Sequence, residues 1–216
     1  MPTRTINGVD LYYELDGDSG EPLVLVHGYT GDISDWRHQQ REFSRTHRVF
    51  ALDNRGHGRS SAPTDRSVYT VANMADDAEA LIDSLGFERY HLVGHSMGGA
   101  IAQEIALRSQ PRLLSLTLHA TSHSFDLDSA LDKDPRVKPY LEYRRKLAET
   151  EGMRAVVNMP KFTDPPPHQD PERAAEKDER LAGMSPDAFL GAWEGLVAWE
   201  GTADRVADIQ TPTLVL

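Results

Sequence analysis

The chain has 216 residues, 39% hydrophobic and 26% charged, the balance expected of a soluble globular protein of one or two domains. Its net charge of -11, from 34 acidic and 23 basic residues, opposes nucleic acid as a partner. The absence of cysteine excludes disulfides, thiolate metal sites, iron–sulfur clusters and a cysteine nucleophile. No apolar signal region opens the chain and no stretch approaches the ~18 apolar residues of a spanning helix, so a cytoplasmic protein with no membrane partner is expected.

Leu11–Leu15 reads as one arm of a hairpin, with the turn-rich Asp16–Gly20 as its turn. Leu23–Val26 is a continuous apolar run ending at His27-Gly28, as suits a strand covered on both faces of a parallel sheet. Arg48–Leu52 is a second such strand, ending at Asp53. From Val71 to Leu85 the apolar residues recur at three and four, which predicts an amphipathic helix stopped by Gly86. Tyr90–Val93 is a third strand, Ala100–Leu107 a helix closed by Ser109-Gln110-Pro111, and Leu113–Leu118 a fourth strand. Strand and helix in alternation predict an α/β fold with a mostly parallel sheet and flanking helices. Beyond Ser124 the patterns turn helical, prolines crowd 160–171, and strand character returns only at Thr211–Leu216. The expected division is a core over 1–124, a helical insertion over 125–205 and a returning core strand within 206–216.

Gly94-His95-Ser96-Met97-Gly98 lies between a strand and a helix, the setting in which a G-x-S-x-G segment forms a nucleophile elbow. Such a turn is sharp and strained, and small neighbours let the flanking backbone pack while the hydroxyl points outward. Ser96 is the candidate nucleophile. Its tetrahedral intermediate would need backbone donors, and the candidates are the amides of Met97, directly after the serine, and Tyr29, in the loop after the first buried strand.

Asp53–Ser60 lacks the Gly-Lys-Ser/Thr ending of a phosphate loop and reads as a structural turn with His57 buried by hydrogen bonds. The Gly94–Gly99 spacing is not that of a dinucleotide fold. His119 and His123 fall on a strand end and a loop, where a spacing of four does not put both on one face, so no metal site is expected there. Phe189, Leu190, Trp193, Leu196, Val197 and Trp199 form an apolar stripe in the helical insertion, either packing or a pocket wall.

Taken together, Leu25-Val26-His27-Gly28 with Trp36 downstream, Asp53–Ser60, Gly94–Gly99 and Pro212–Leu216 resemble the α/β-hydrolase superfamily. The similarity is to its cap-bearing branch of esterases, lactonases and cofactor-free haloperoxidases, and it implies that residues 125–205 are a cap. Serine at 96 departs from the epoxide hydrolases and haloalkane dehalogenases of that superfamily, whose nucleophile is a carboxylate. The family order of serine, acid and histidine places the last two late in the chain. His119, His123 and His168 do not match the family's base position, and Asp126 or Asp128 would supply only an acid. The resemblance therefore implies a chain lacking the family's C-terminal strands and helices, inert by itself and poorly stable. The expected activity is that of a serine hydrolase acting on a small carboxylic ester, lactone or thioester, without metal or cofactor. Two other readings stay open: a ligand-binding or receptor-like protein without turnover, and a haloperoxidase or perhydrolase using the same serine.

Overall fold

A computed structural model describes residues 2–125, 134–160 and 170–216. The sheet begins with a hairpin of β1 (Thr3–Ile6) and β2 (Val9–Asp16), turned by Asn7 and Gly8, both at positive φ. This corrects the expected hairpin. Asp16–Gly20 does not fold β2 back on its successor; β2 instead pairs antiparallel with β4 (Arg48–Leu52), one strand further on. β3 (Pro22–Val26), β4, β5 (Tyr90–His95), β6 (Leu113–His119) and β7 (Thr213–Val215) are mutually parallel, and the seven strands lie in the order β1-β2-β4-β3-β5-β6-β7. The reversal of order at β3 leaves a crevice at its carboxyl end, between the connections leaving β3 and β5.

Side chains alternate across the buried strands, which explains their unbroken hydrophobicity. Val24, Val26, Phe50 and Leu52 enter the main core with α2 (Val71–Ser84) and α3 (Met97–Ser109). Leu23, Leu25, Val49 and Ala51 point to the opposite face, packing with Tyr12, Ile33 and Trp36, the last two from the 3-10 turn that leads into α1 (Arg37–Phe43). α2 follows its predicted periodicity: Thr70 caps it by accepting from the Asn73 amide, and Gly86 follows its C-cap at φ +73°. α3 starts three residues before its apolar pattern, because Met97-Gly98-Gly99 continues directly from the end of β5.

Four helices are described between β6 and β7: α4 (Val137–Thr150), α5 (Met153–Asn158), α6 (Pro171–Gly183) and α7 (Pro186–Val197). α7 has two buried faces. Ala188, Ala192 and Leu196 join the main core, while Phe189 and Leu190 join a smaller cluster with Leu147, Ala148, Met153, Val156 and Met159 of α4, α5 and the residue after it. The two ends of this helical excursion meet. The Thr202 amide donates to the His123 carbonyl at 2.7 Å, and Gln103 of α3 bonds both sides, accepting from the Thr202 hydroxyl at 2.5 Å and donating to the Ser122 carbonyl at 2.9 Å.

Candidate active site

Ser96 stands at the junction of β5 and α3 with φ +52° and ψ -117°, a conformation that residues bearing a Cβ rarely adopt. The neighbours hold it there. Its amide donates to the His119 carbonyl at the end of β6 (3.0 Å), and its carbonyl accepts from Gly99 (2.8 Å) and from the Thr121 hydroxyl (2.8 Å). The glycines on either side are needed for space: a Cβ on Gly94 would lie 2.3 Å from the Gly98 carbonyl oxygen, and one on Gly98 would lie 2.2 Å from that of Val26. The serine itself is only half buried. Met97, the first residue of α3, has an amide with no acceptor within the helix, at the positive end of the helix dipole.

The loop after β3 comes directly against this turn, since a Cβ on Gly28 would be 3.1 Å from the Ser96 Cβ. Gly28 and Gly31 close a tight turn, the Gly31 amide donating to the Gly28 carbonyl at 2.9 Å, and Thr30 at its third position has φ +60°, as a type II turn requires. Tyr29 occupies the second position, so its amide takes no part in the turn's own hydrogen bond. Buried His27 braces the loop from below. Its Nε2 accepts from the Asn54 amide (3.0 Å), which puts the proton on Nδ1, and Nδ1 donates to the Gly28 carbonyl (2.8 Å). His27-Gly28 is thus a fixed strut, not merely a turn after a buried strand.

Asp53–Ser60 is a structural turn. Asp53 accepts from the Ile33 and Arg59 amides at 2.8 Å each, although burial raises its pKa. His57 is buried, but only half of it is bonded: Nδ1 donates to the Arg55 carbonyl (2.9 Å), and Nε2 meets no partner among the described residues. Burial, with His27 nearby, pushes its pKa down to about 3. A cavity of about 500 Å³ lies between this turn, Thr30–Asp32 and the end of α6; His57 and Arg180 line it and Ser96 does not.

The structure separates the two tryptophans of the stripe. Trp193 packs against Tyr29 with ring centroids 5.7 Å apart and planes tilted by 47°, beside Phe189 at 5.4 Å from the same ring. Trp199 turns to the core, packing on Phe125 at 6.2 Å and donating to Glu104 at 2.8 Å. The Tyr29 hydroxyl donates to the Phe189 carbonyl at 2.8 Å, a contact across 160 positions that no local pattern announces. Of the later histidines, His119 is exposed with its ring 5.1 Å from that of His95, and His123 uses its carbonyl to hold Thr202. Burial, followed by the nearby His119, lowers the His95 pKa. Among the described residues no histidine ring is hydrogen-bonded to the Ser96 hydroxyl, and no three His, Asp or Glu side chains gather as a metal site. His168, Asp126 and Asp128 lie outside the described residues.

Comparison with known proteins agrees with this geometry. A family model described as the alpha/beta hydrolase fold matches residues 21–216. The RutD protein of Azorhizobium caulinodans, whose name assigns it provisionally to carbamate hydrolysis, is 30% identical over all of this chain and 78% of its own length. Among solved structures, the enol-lactonase of Burkholderia xenovorans LB400 superposes with a TM-score of 0.84 at 27% identity, covering 99% of this chain and 80% of that one. A thermophilic esterase from Thermogutta terrifontis gives a TM-score of 0.79 at 29% identity, covering 99% and 76%. With the family model spanning the five parallel strands β3 to β7 and the serine turn in place, the chain belongs to the α/β-hydrolase family.

Proposed function

We propose that this protein is a serine hydrolase that cleaves a small carboxylic ester, lactone or thioester through an acyl-enzyme on Ser96. The observation that carries the reading is the Ser96 backbone, held at φ +52° between a parallel strand and a helix N-terminus. Hydrolysis is also the chemistry that family membership supports. In the first step the Ser96 Oγ attacks the acyl carbon, its proton passes to a base, and the carbonyl oxygen becomes an oxyanion accepting from the Tyr29 and Met97 amides. Collapse expels the alcohol or thiol, which takes up the proton, and water then releases the acid by the same route.

In this reading residues 1–124 and 206–216 form the catalytic core and 125–205 a cap over it, with Trp193 at the junction and a small-molecule substrate between. Carbamates present the same acyl carbon bonded to a heteroatom, so they belong beside esters, lactones and thioesters in a substrate panel. The test uses the protein as its gene encodes it, with a fluorophosphonate label and that panel. Ser96→Ala is expected to abolish labelling and lower turnover by about 10⁴-fold or more, with the melting temperature nearly unchanged. Turnover retained within tenfold overturns the assignment. Ligand binding without turnover in the unaltered protein would favour a binding module instead.

A further inference from the structure

The turn that brings Tyr29 to the serine carries a strained residue, Thr30, and strain of this kind persists only where the surroundings hold it. On the sheet side the holding groups are the Gly28 carbonyl and its partners His27 and Gly31. On the other side the Tyr29 side chain itself is gripped by α7. Its hydroxyl donates to the Phe189 carbonyl, and its ring lies between Phe189, Trp193 and the edge of His57, 6.4 Å away. Burial pushes the phenol pKa well above the usual tyrosine range, so it stays a hydrogen-bond donor. The same residue therefore follows Gly28, which lies against the Ser96 turn, and sends its side chain to a helix of the excursion.

We propose that Tyr29 is a positioning residue as well as an oxyanion donor: its anchored side chain fixes the orientation of its own amide, so α7 sets the geometry of the oxyanion hole. The inference rests on the serine hydrolase reading above. Donors in an oxyanion hole act only when aimed at the place the oxygen will occupy, so rotation of the Gly28–Tyr29 peptide, which carries the Tyr29 amide and whose carbonyl is held by His27 and Gly31, would lose transition-state stabilisation without losing substrate. The Phe189 carbonyl and the Trp193 ring become elements of catalysis that touch no reacting atom. They also give α7 a means of coupling what binds against it to the rate of the chemical step.

The test compares Tyr29→Phe, Trp193→Leu and Ser96→Ala in the protein as encoded, measuring kcat and KM on the best ester of the panel. It also measures inhibition by a trifluoromethyl ketone, which forms a tetrahedral adduct on serine. Tyr29→Phe keeps the ring and the backbone amide and removes only the hydroxyl. It is expected to lower kcat by about 10- to 100-fold, somewhat less than removal of an oxyanion donor outright, with KM within about twofold. Inhibition by the ketone should weaken in step with kcat. Trp193→Leu should act in the same direction, and thermal melts report whether each variant is folded. A Tyr29→Phe enzyme with unchanged kcat and unchanged ketone affinity, while Ser96→Ala is dead, overturns the positioning role and leaves the serine reading standing. An active Ser96→Ala overturns both. A fall confined to KM, with ketone affinity following substrate affinity, assigns Tyr29 to substrate binding and also overturns the proposal.

Discussion

His57 shows how a single residue reports on its surroundings. The folded protein holds it neutral, with its pKa lowered from 6.5 to about 3 by burial and by His27. Between those values the unfolded chain binds a proton at position 57 that the folded protein does not, so stability rises with pH across the window and is lost as pH falls through it. The full slope from one such group is about 1.4 kcal/mol per pH unit. Asn at 57 can still donate to the Arg55 carbonyl but does not titrate. Unfolding free energies of His57→Asn from urea denaturation, followed from pH 6 to pH 4, are expected to fall less steeply than those of the unaltered protein by about 1 kcal/mol per pH unit. Parallel lines would show that His57 is not the neutral buried group described here. At this scale the sequence was legible where local structure is set by neighbours in the chain: the placement of Ser96 and Met97 follows from one strand, one turn and one helix. Burial of His57 was legible too, but that its Nε2 meets no partner among the described residues was not, because this depends on what the rest of the fold brings near. The side chain of Tyr29 was illegible for the same reason, its acceptor lying 160 residues away.

At the scale of elements, one ion pair joins three parts of the core. Arg55, in the turn after β4, grips Asp77 of α2 with two hydrogen bonds of 2.7 and 2.8 Å, both side chains almost fully buried. Asp77 also accepts from Asn7 of the first hairpin at 2.9 Å, and Arg55 donates to the Val68 carbonyl at 3.0 Å. Removing one partner leaves the other charge buried and unpaired, so Asp77→Asn is expected to cost about 3–5 kcal/mol in urea denaturation. Arg55→Met combined with Asp77→Leu should recover most of that loss, since an apolar pair carries no stranded charge. If the double variant were no more stable than Asp77→Asn, the hydrogen bonds to Asn7 and Val68 would be the larger contribution. Asp77 sits on an otherwise apolar face of α2, and its partner was not visible from the helix period. Elements with strong local signals were legible: β4 spans the expected residues, and α2 ends at the expected stop, Gly86. The first hairpin was missed because Thr3–Ile6 is an exposed edge strand with little apolar alternation, leaving Asn7-Gly8 as its only mark.

At the scale of the whole molecule, α7 belongs to two cores at once, which joins the helical excursion to the sheet. Unfolding of either body exposes a buried face of the other. Far-ultraviolet circular dichroism and tryptophan fluorescence, which samples Trp36 on the sheet and Trp193 on the excursion, are therefore expected to give coincident urea transitions. Separate midpoints would show that the two bodies unfold independently. The parallel class of the sheet was legible from its unbroken apolar runs, whereas the order of strands was not, since pairing β6 with β7 joins Leu116 to Thr213 across the excursion. The hydrogen bond between His123 and Thr202 carries a consequence for the protein's history. Because the sheet meets the excursion at two adjacent points, its register does not depend on how far the chain travels between them. Doubling the length of a flexible closed segment costs only about 0.6 kcal/mol, so insertions there encounter little thermodynamic resistance. Descendants of this chain could remodel the excursion by adding or deleting whole turns of helix before α7, while α7 and the strands it packs on inherit their positions unchanged.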